Sequence, residues 1–250
     1  MATRRVYKKP PIQEAICDIR YSERDGNDLR DLPKFLSHVS GAYSGPVVPV
    51  LQIQPSQGAS VVPGQGINLS LAIDGPNLQI WSTDRRMMLT LGRDRIATHA
   101  LAPYCGWEEF NPQVLAAHDA FTTVYSPKAV MRIGVRYVNR VVLPLTNFDI
   151  SEYFVGVPTV ALRSAAVSRV LSRIEGNFPT SDDQFGITFG SAESEPDSVA
   201  FLLDIEVYRS FEPSPMRAEA VSAEIDRLRN EERELFEAMI TDNARALFDA

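Results

Sequence analysis

A chain of 250 residues, 44% hydrophobic and 23% charged, has the composition of a folded globular protein rather than a disordered one. Its net charge of -7 and sequence pI of about 5.1 argue against broad, non-specific binding to nucleic acid or an anionic membrane. Two cysteines are too few for a disulfide framework or a thiolate zinc site, and no apolar run approaches the ~18 residues of a membrane span.

Residues 1–11 carry Arg4, Arg5, Lys8 and Lys9 and end on Pro10-Pro11. They read as a solvated basic arm, with no apolar signal core after it. A cytoplasmic location is therefore expected. Residues 12–21 alternate as a strand, with Ala15, Cys17, Ile19 and Tyr21 on one face and Glu14, Asp18 and Arg20 on the other. Leu29, Leu32, Phe35, Leu36 and Val39 mark a short amphipathic helix with Pro33 in its first turns. Residues 47–54 read as a strand. The Gly/Pro/Ser-rich stretch 55–66 reads as a surface loop, since it lacks the Lys-Ser/Thr of a phosphate cradle. A meander follows, with strands at 67–73, 78–82, 86–91 and 95–100. Its turns fall at 74–77, 83–85 and 92–94.

Residues 107–125 return to helical spacing, with Phe110, Val114, Ala117, Phe121 and Tyr125 on one stripe. Pro112 places the expected start near Asn111, as its N-cap. Residues 129–144, AVMRIGVRYVNRVVLP, carry the clearest strand signal. Met131, Ile133, Val135, Tyr137, Val141 and Leu143 fall on one face. Arg132, Arg136 and Arg140 share the other and span ~26 Å. Further strands are expected at 167–175, 184–190 and 199–208. The longest helix is expected at 216–240, running on toward 248. Its apolar face holds Val221, Ile225, Leu228, Leu235, Phe236, Met239 and Ile240. Asn230 and Glu232 interrupt that face, so part of the helix is expected to leave the core.

The predicted architecture is α+β, an antiparallel sheet with helices packed on one face. Strands precede a helix twice, which divides the chain into pseudo-repeated halves, 1–160 and 161–250, sharing one core. Several segments together resemble a known family. They are Tyr7-Lys8-Lys9-Pro10-Pro11-Ile12 with Glu14-Ala15, Tyr104 with Trp107-Glu108-Glu109-Phe110, residues 132–139 (RIGVRYVN), Leu203-Asp204-Ile205, and residues 235–241 (LFEAMIT). The pattern resembles a sporadically distributed family of bacterial proteins over nearly the whole chain. That resemblance implies no catalytic motif. It does imply mobile or accessory genes such as defence or toxin–antitoxin loci.

Two kinds of candidate site emerge. Arg132, Arg136 and Arg140 form an anion-binding row for a nucleotide or nucleic acid, or else pair with Glu14, Asp18, Asp204 and Glu206 on neighbouring strands. Leu228, Leu235, Phe236 and Met239 offer an apolar helix face to a protein partner or a second copy of the chain. His38, His99 and His118 show no metal-ligand spacing, and Asp182-Asp183 lacks the ordered spacing of a calcium loop. Cys105 lies near His99 and His118 in sequence, but spacing alone defines no nucleophile–base pair. No catalytic residue, metal or cofactor is expected. The expected function is a non-enzymatic, protein-binding, dimeric module of chaperone- or antitoxin-like type, which takes an extended segment at a sheet edge; the alternative is a sensor or enzyme that binds an anionic nucleotide or nucleic acid through the arginine row. A membrane partner is not expected and nucleic acid is not favoured.

Overall fold

Strict alternation makes Val130–Pro144 a strand, β6. In the computed structural model of the chain, residues 5–22, 31–62, 66–144, 149–158 and 169–250 are described. Strand β1 (Ile12–Tyr21) lies antiparallel along one side of β6, and β9 (Ser198–Ser214) along the other. Outward from β1 come β5 (Arg95–Leu101), β4 (Met87–Leu91), β3 (Gly66–Trp81) and β2 (Val47–Val62). Outward from β9 come β8 (Gln184–Ala192) and β7 (Leu171–Asn177). The described strands thus form one nine-stranded antiparallel sheet in the order β2-β3-β4-β5-β1-β6-β9-β8-β7. Described helices are α1 (Leu32–Val39), α2 (Trp107–Tyr125), α3 (Ala218–Met239) and α4 (Asp242–Asp249). The fold is α+β, as the alternation and spacing predict.

Register assigns the two faces. Cys17 sits opposite Val135 and Thr98, and Val135 opposite Val207, so these share one side. On that side Ile19, Ile133, Leu203 and Ile205 are buried with Phe110, Val114 and Phe121 of α2 and Val221, Ile225 and Leu228 of α3. Each such side chain contributes ~1.5–3 kcal/mol by leaving water. Tyr21 stacks on Phe121 at 4.5 Å, and its hydroxyl meets Nδ1 of the buried His118 at 2.7 Å. Burial holds His118 below its ordinary pKa, so it is neutral in the core.

The opposite face is polar. Arg136 makes a bidentate pair with Asp204 at 2.6 and 2.7 Å. Arg132 reaches Glu206 at 2.6 Å and lies 4.0 Å over the Tyr208 ring. It can cross there because Gly134 has no side chain: a Cβ at Gly134 would stand 2.7 Å from the guanidinium. Asp18 pairs with Arg95, while His99 lies between Glu14 (2.8 Å) and Thr90 (3.0 Å). Burial pushes the Asp18 carboxyl up, but Arg95, Arg20, Arg132 and His99 together outweigh it and hold the group below its ordinary value.

Three expectations are corrected. Residues 55–62 continue β2 and residue 66 opens β3, so most of the stretch read as a loop is hairpin; residues 63–65 lie outside the described residues. The Gly and Pro residues coincide with register shifts, between Val50 and Gln52 and between Pro55 and Ala59, instead of ending the strand. The turn expected at 74–77 lies within β3 for the same reason, opposite the first of those shifts. Helix α2 begins at Trp107, not Asn111. Its N-cap is Gly106, whose carbonyl accepts from Phe110 N–H at 3.0 Å, and Pro112 sits inside the helix. Glu108 and Glu109 complement the positive end of that first turn.

Candidate functional site

Residues 5–11 lead into β1, whose first residue is Ile12, and are tied down by α3 and α4. Lys9 N–H donates to the Phe248 carbonyl at 2.9 Å, and Arg5 pairs with Asp249 at 2.6 Å. The Tyr7 hydroxyl donates to Glu237 at 2.6 Å, and its ring meets Phe248 edge-on at 5.3 Å. The stretch read as a solvated arm does expose Arg5, Val6, Lys8, Lys9 and Pro10, but from residue 5 onward it is fastened in place and, with Tyr7 turned inward, forms a wall.

Behind that wall lies a cavity of about 410 Å³, within the size range of ligand pockets. Its other sides are residues 104–106 after β5, the first turn of α2, Tyr137 and Asn139 of β6, and the middle of α3. Arg229, Glu232, Arg233, Phe236 and Glu237 recur at i, i+3, i+4, i+7 and i+8, so one face of α3 points into the space.

Two groups on that face are buried without an opposite charge. Glu232 is 3% exposed, and its Oε1 has no hydrogen-bond partner among the described residues. Burial pushes its carboxyl well above the usual range, with only a weaker pull from Arg233 against it. Arg229 is 9% exposed. Its guanidinium lies 4.4 Å over the Trp107 ring, and its Nε has no hydrogen-bond partner among the described residues. No ion pair joins Arg229 to Glu232 or to another described residue. Leaving one buried polar group unsatisfied costs ~1–3 kcal/mol, and more for a charged one. Two on one wall oppose folding, so packing alone does not account for them.

The surrounding polar groups are engaged. Trp107 Nε1 donates to Asp226 at 3.0 Å, and Asn139 Nδ2 donates to the Leu203 carbonyl at 3.2 Å. The Tyr104 and Tyr137 hydroxyls meet at 3.3 Å. Burial raises both phenols, and Glu232 adds to the effect, so neither ionises near neutral pH. Cys105 lines the cavity half-buried, its thiol raised by burial and by Glu109. Gly106, at φ +92 and ψ 162, joins the loop to α2 in a backbone region essentially reserved for glycine.

Of the expected site residues Phe236 lines the cavity; the others lie elsewhere or are already engaged. Arg132 and Arg136 are paired with Glu206 and Asp204, and Arg140 donates to the Glu193 carbonyl at 2.8 Å. Leu228 is fully buried against the sheet; Phe236 packs near Tyr7 and Phe248, while Leu235 and Met239 are half-buried. Cys105, His99 and His118 are not brought together: His99 faces Glu14 and His118 faces Tyr21. Asp183 is fully buried between Arg209 and Arg227, and no metal-holding cluster occurs among the described residues. Asn230 is exposed, as the break in the α3 stripe predicts, but Glu232 turns inward. That break is the one sequence signal that marks the cavity.

Segments far apart in sequence meet here. Tyr7, Pro10, Pro11, Ile12, Tyr104, Trp107, Tyr137, Asn139, Phe236 and Glu237 all line the space. No protein-family model and no curated protein matches the chain. Fold and site together define an α+β protein whose described strands form one antiparallel sheet, with a cavity of mixed polar and apolar lining beneath residues 5–12. No helix among the described residues is long and apolar enough to cross a membrane.

Proposed function

We propose that the protein is a non-enzymatic binding protein and that the cavity under residues 5–12 is its recognition site. One observation carries this: Arg229 and Glu232, both buried, face the same space and each lacks an ionic partner among the described residues. Groups in that state gain most from a ligand that completes them. A cytoplasmic setting fits two unpaired thiols, Cys17 and Cys105. Thermal-shift screening against a chemically mixed set of small metabolites tests the reading. Compounds that raise the melting temperature should lose their effect once Cys105 is alkylated with N-ethylmaleimide. If no compound of any class does so, the cavity is not a recognition site.

A second reading rests on the sheet edge. Among the described residues β7 pairs only with β8, and Leu171 and Ile174 on it are 79% and 46% exposed. An extended segment of a protein partner, or of a second copy, would add a strand there in a chaperone- or antitoxin-like role. Leu171→Lys with Ile174→Lys should then abolish association measured by light scattering or partner capture. Unchanged association would remove this reading.

A further inference from the structure

Resting on the cavity as a recognition site, we infer that it takes a free apolar α-amino acid, with the ligand carboxylate on Arg229 and the ligand ammonium on Glu232. The charged groups around the cavity sort themselves by what they already hold. Arg5 is paired with Asp249. Glu237 accepts from Tyr7 and Arg245, and Arg233 donates to the Arg5 carbonyl at 2.6 Å. Lys8 and Glu108 are exposed at the rim. Arg229, a cation, and Glu232, an acid that becomes an anion once it gives up its proton, remain, both more than nine-tenths buried.

A ligand with one charge would complete only one of them. A simple amine leaves Arg229 unpaired and a simple carboxylate leaves Glu232 unpaired. Three residues apart on a helix, the two project from neighbouring positions ~5–6 Å apart at Cβ. An α-amino acid carries both its charges on one carbon and can reach both. The rest of the wall includes Tyr7, Ile12, Trp107 and Phe236, which suits an apolar side chain, and 410 Å³ holds an amino acid of any size.

Binding also moves a proton. Burial keeps Glu232 protonated in the empty site, where Tyr104, Tyr137 and Arg233 face it. An arriving ammonium favours the carboxylate. The Glu232 proton then leaves to the buffer, and the ligand keeps all three of its own.

Isothermal titration with L-phenylalanine and L-leucine at pH 6, in two buffers of different ionisation enthalpy, tests the assignment on the intact chain. The expected result is saturable binding with net proton release of up to one. Phenethylamine and 3-phenylpropionate should each bind about tenfold more weakly or worse, as should L-phenylalanine to Glu232→Gln or Arg229→Met. Folding of each variant is checked by its melting transition. Equal binding of the single-charge analogues overturns the assignment, as does binding without proton release. If neither amino acid binds while another class in the screen binds and is blocked by Cys105 alkylation, the dipolar assignment falls and the cavity reading stands. If nothing binds at all, both fall.

Discussion

Replacing Glu232 by Gln should stabilise the protein, and by more as the pH rises. The wild-type carboxyl is buried and its pKa lies well above the ordinary value of 4.5. Between those two values the folded chain keeps a proton that the unfolded chain has given up. Folding stability therefore falls as pH rises from about 4.5 toward the folded pKa. The slope approaches about 1.4 kcal/mol for each pH unit. Gln carries no such proton, and the remaining titrating groups are shared by both proteins and cancel in the difference. From pH 5 to pH 6 the wild type should lose up to about 1.4 kcal/mol relative to Glu232→Gln. For a chain of this size that corresponds to roughly 3–5 °C in melting temperature. Thermal melts of both proteins at the two pH values measure it. Parallel pH dependence, or a variant less stable than wild type at pH 6, would refute the reasoning, because Glu232 would then be ionised and partnered in the folded state.

Other substitutions probe the remaining chemistry. Asp183→Ala removes a fully buried carboxylate from between Arg209 and Arg227 and should cost ~3 kcal/mol at pH 7, read by urea titration. Burial raises the Asp183 carboxyl, but hydrogen bonds from Arg227, Ser181 and Glu231 together with the Arg227 charge outweigh it and hold the group at about 2. Its contribution is therefore present above pH 3.8 and lost as pH falls toward 2, so variant and wild type should converge in acid. Gly106→Ala forces a Cβ into a region reserved for glycine and should cost of order 1–3 kcal/mol, with a change in Trp107 fluorescence. Arg136→Ala should cost no more than about 1 kcal/mol, since its side chain is 43% exposed; a loss of several kcal/mol in a urea titration would mean a larger structural role. Cys17 should resist alkylation in the native state, and Cys105 should react more slowly than a free peptide thiol at pH 7, as peptide mapping would reveal.

Sequence patterning reveals the sheet wherever one face is apolar. The alternation in β1 and β6 marks both strands to within a residue, and the odd residues of β6 do face the helices. Glu206 and Asp204 are legible as partners for the arginines because charge alternates with Leu203, Ile205 and Val207 on β9. The failures share a cause. Gly and Pro between residues 55 and 77 read as breaks, yet an antiparallel pair absorbs extra residues as bulges without ending. Pro112 reads as a start signal, but α2 accommodates it one turn further in, after an acidic first turn. Glu232 reads as a sign that α3 leaves the core. Helical spacing gives the direction of that side chain, but only the docked strap of residues 5–12 encloses it. The strap is held through Phe248 and Asp249, more than two hundred residues away, which no local pattern can show.

The central claim is that α3 holds an unpaired, protonated carboxyl inside a cavity built for a ligand. Carbon-13 NMR of the Glu232 side chain across a pH titration tests it most directly. The account predicts a midpoint well above 4.5 in the free protein, moving downward when L-phenylalanine is added. A midpoint near 4.5 that the amino acid does not move would contradict it.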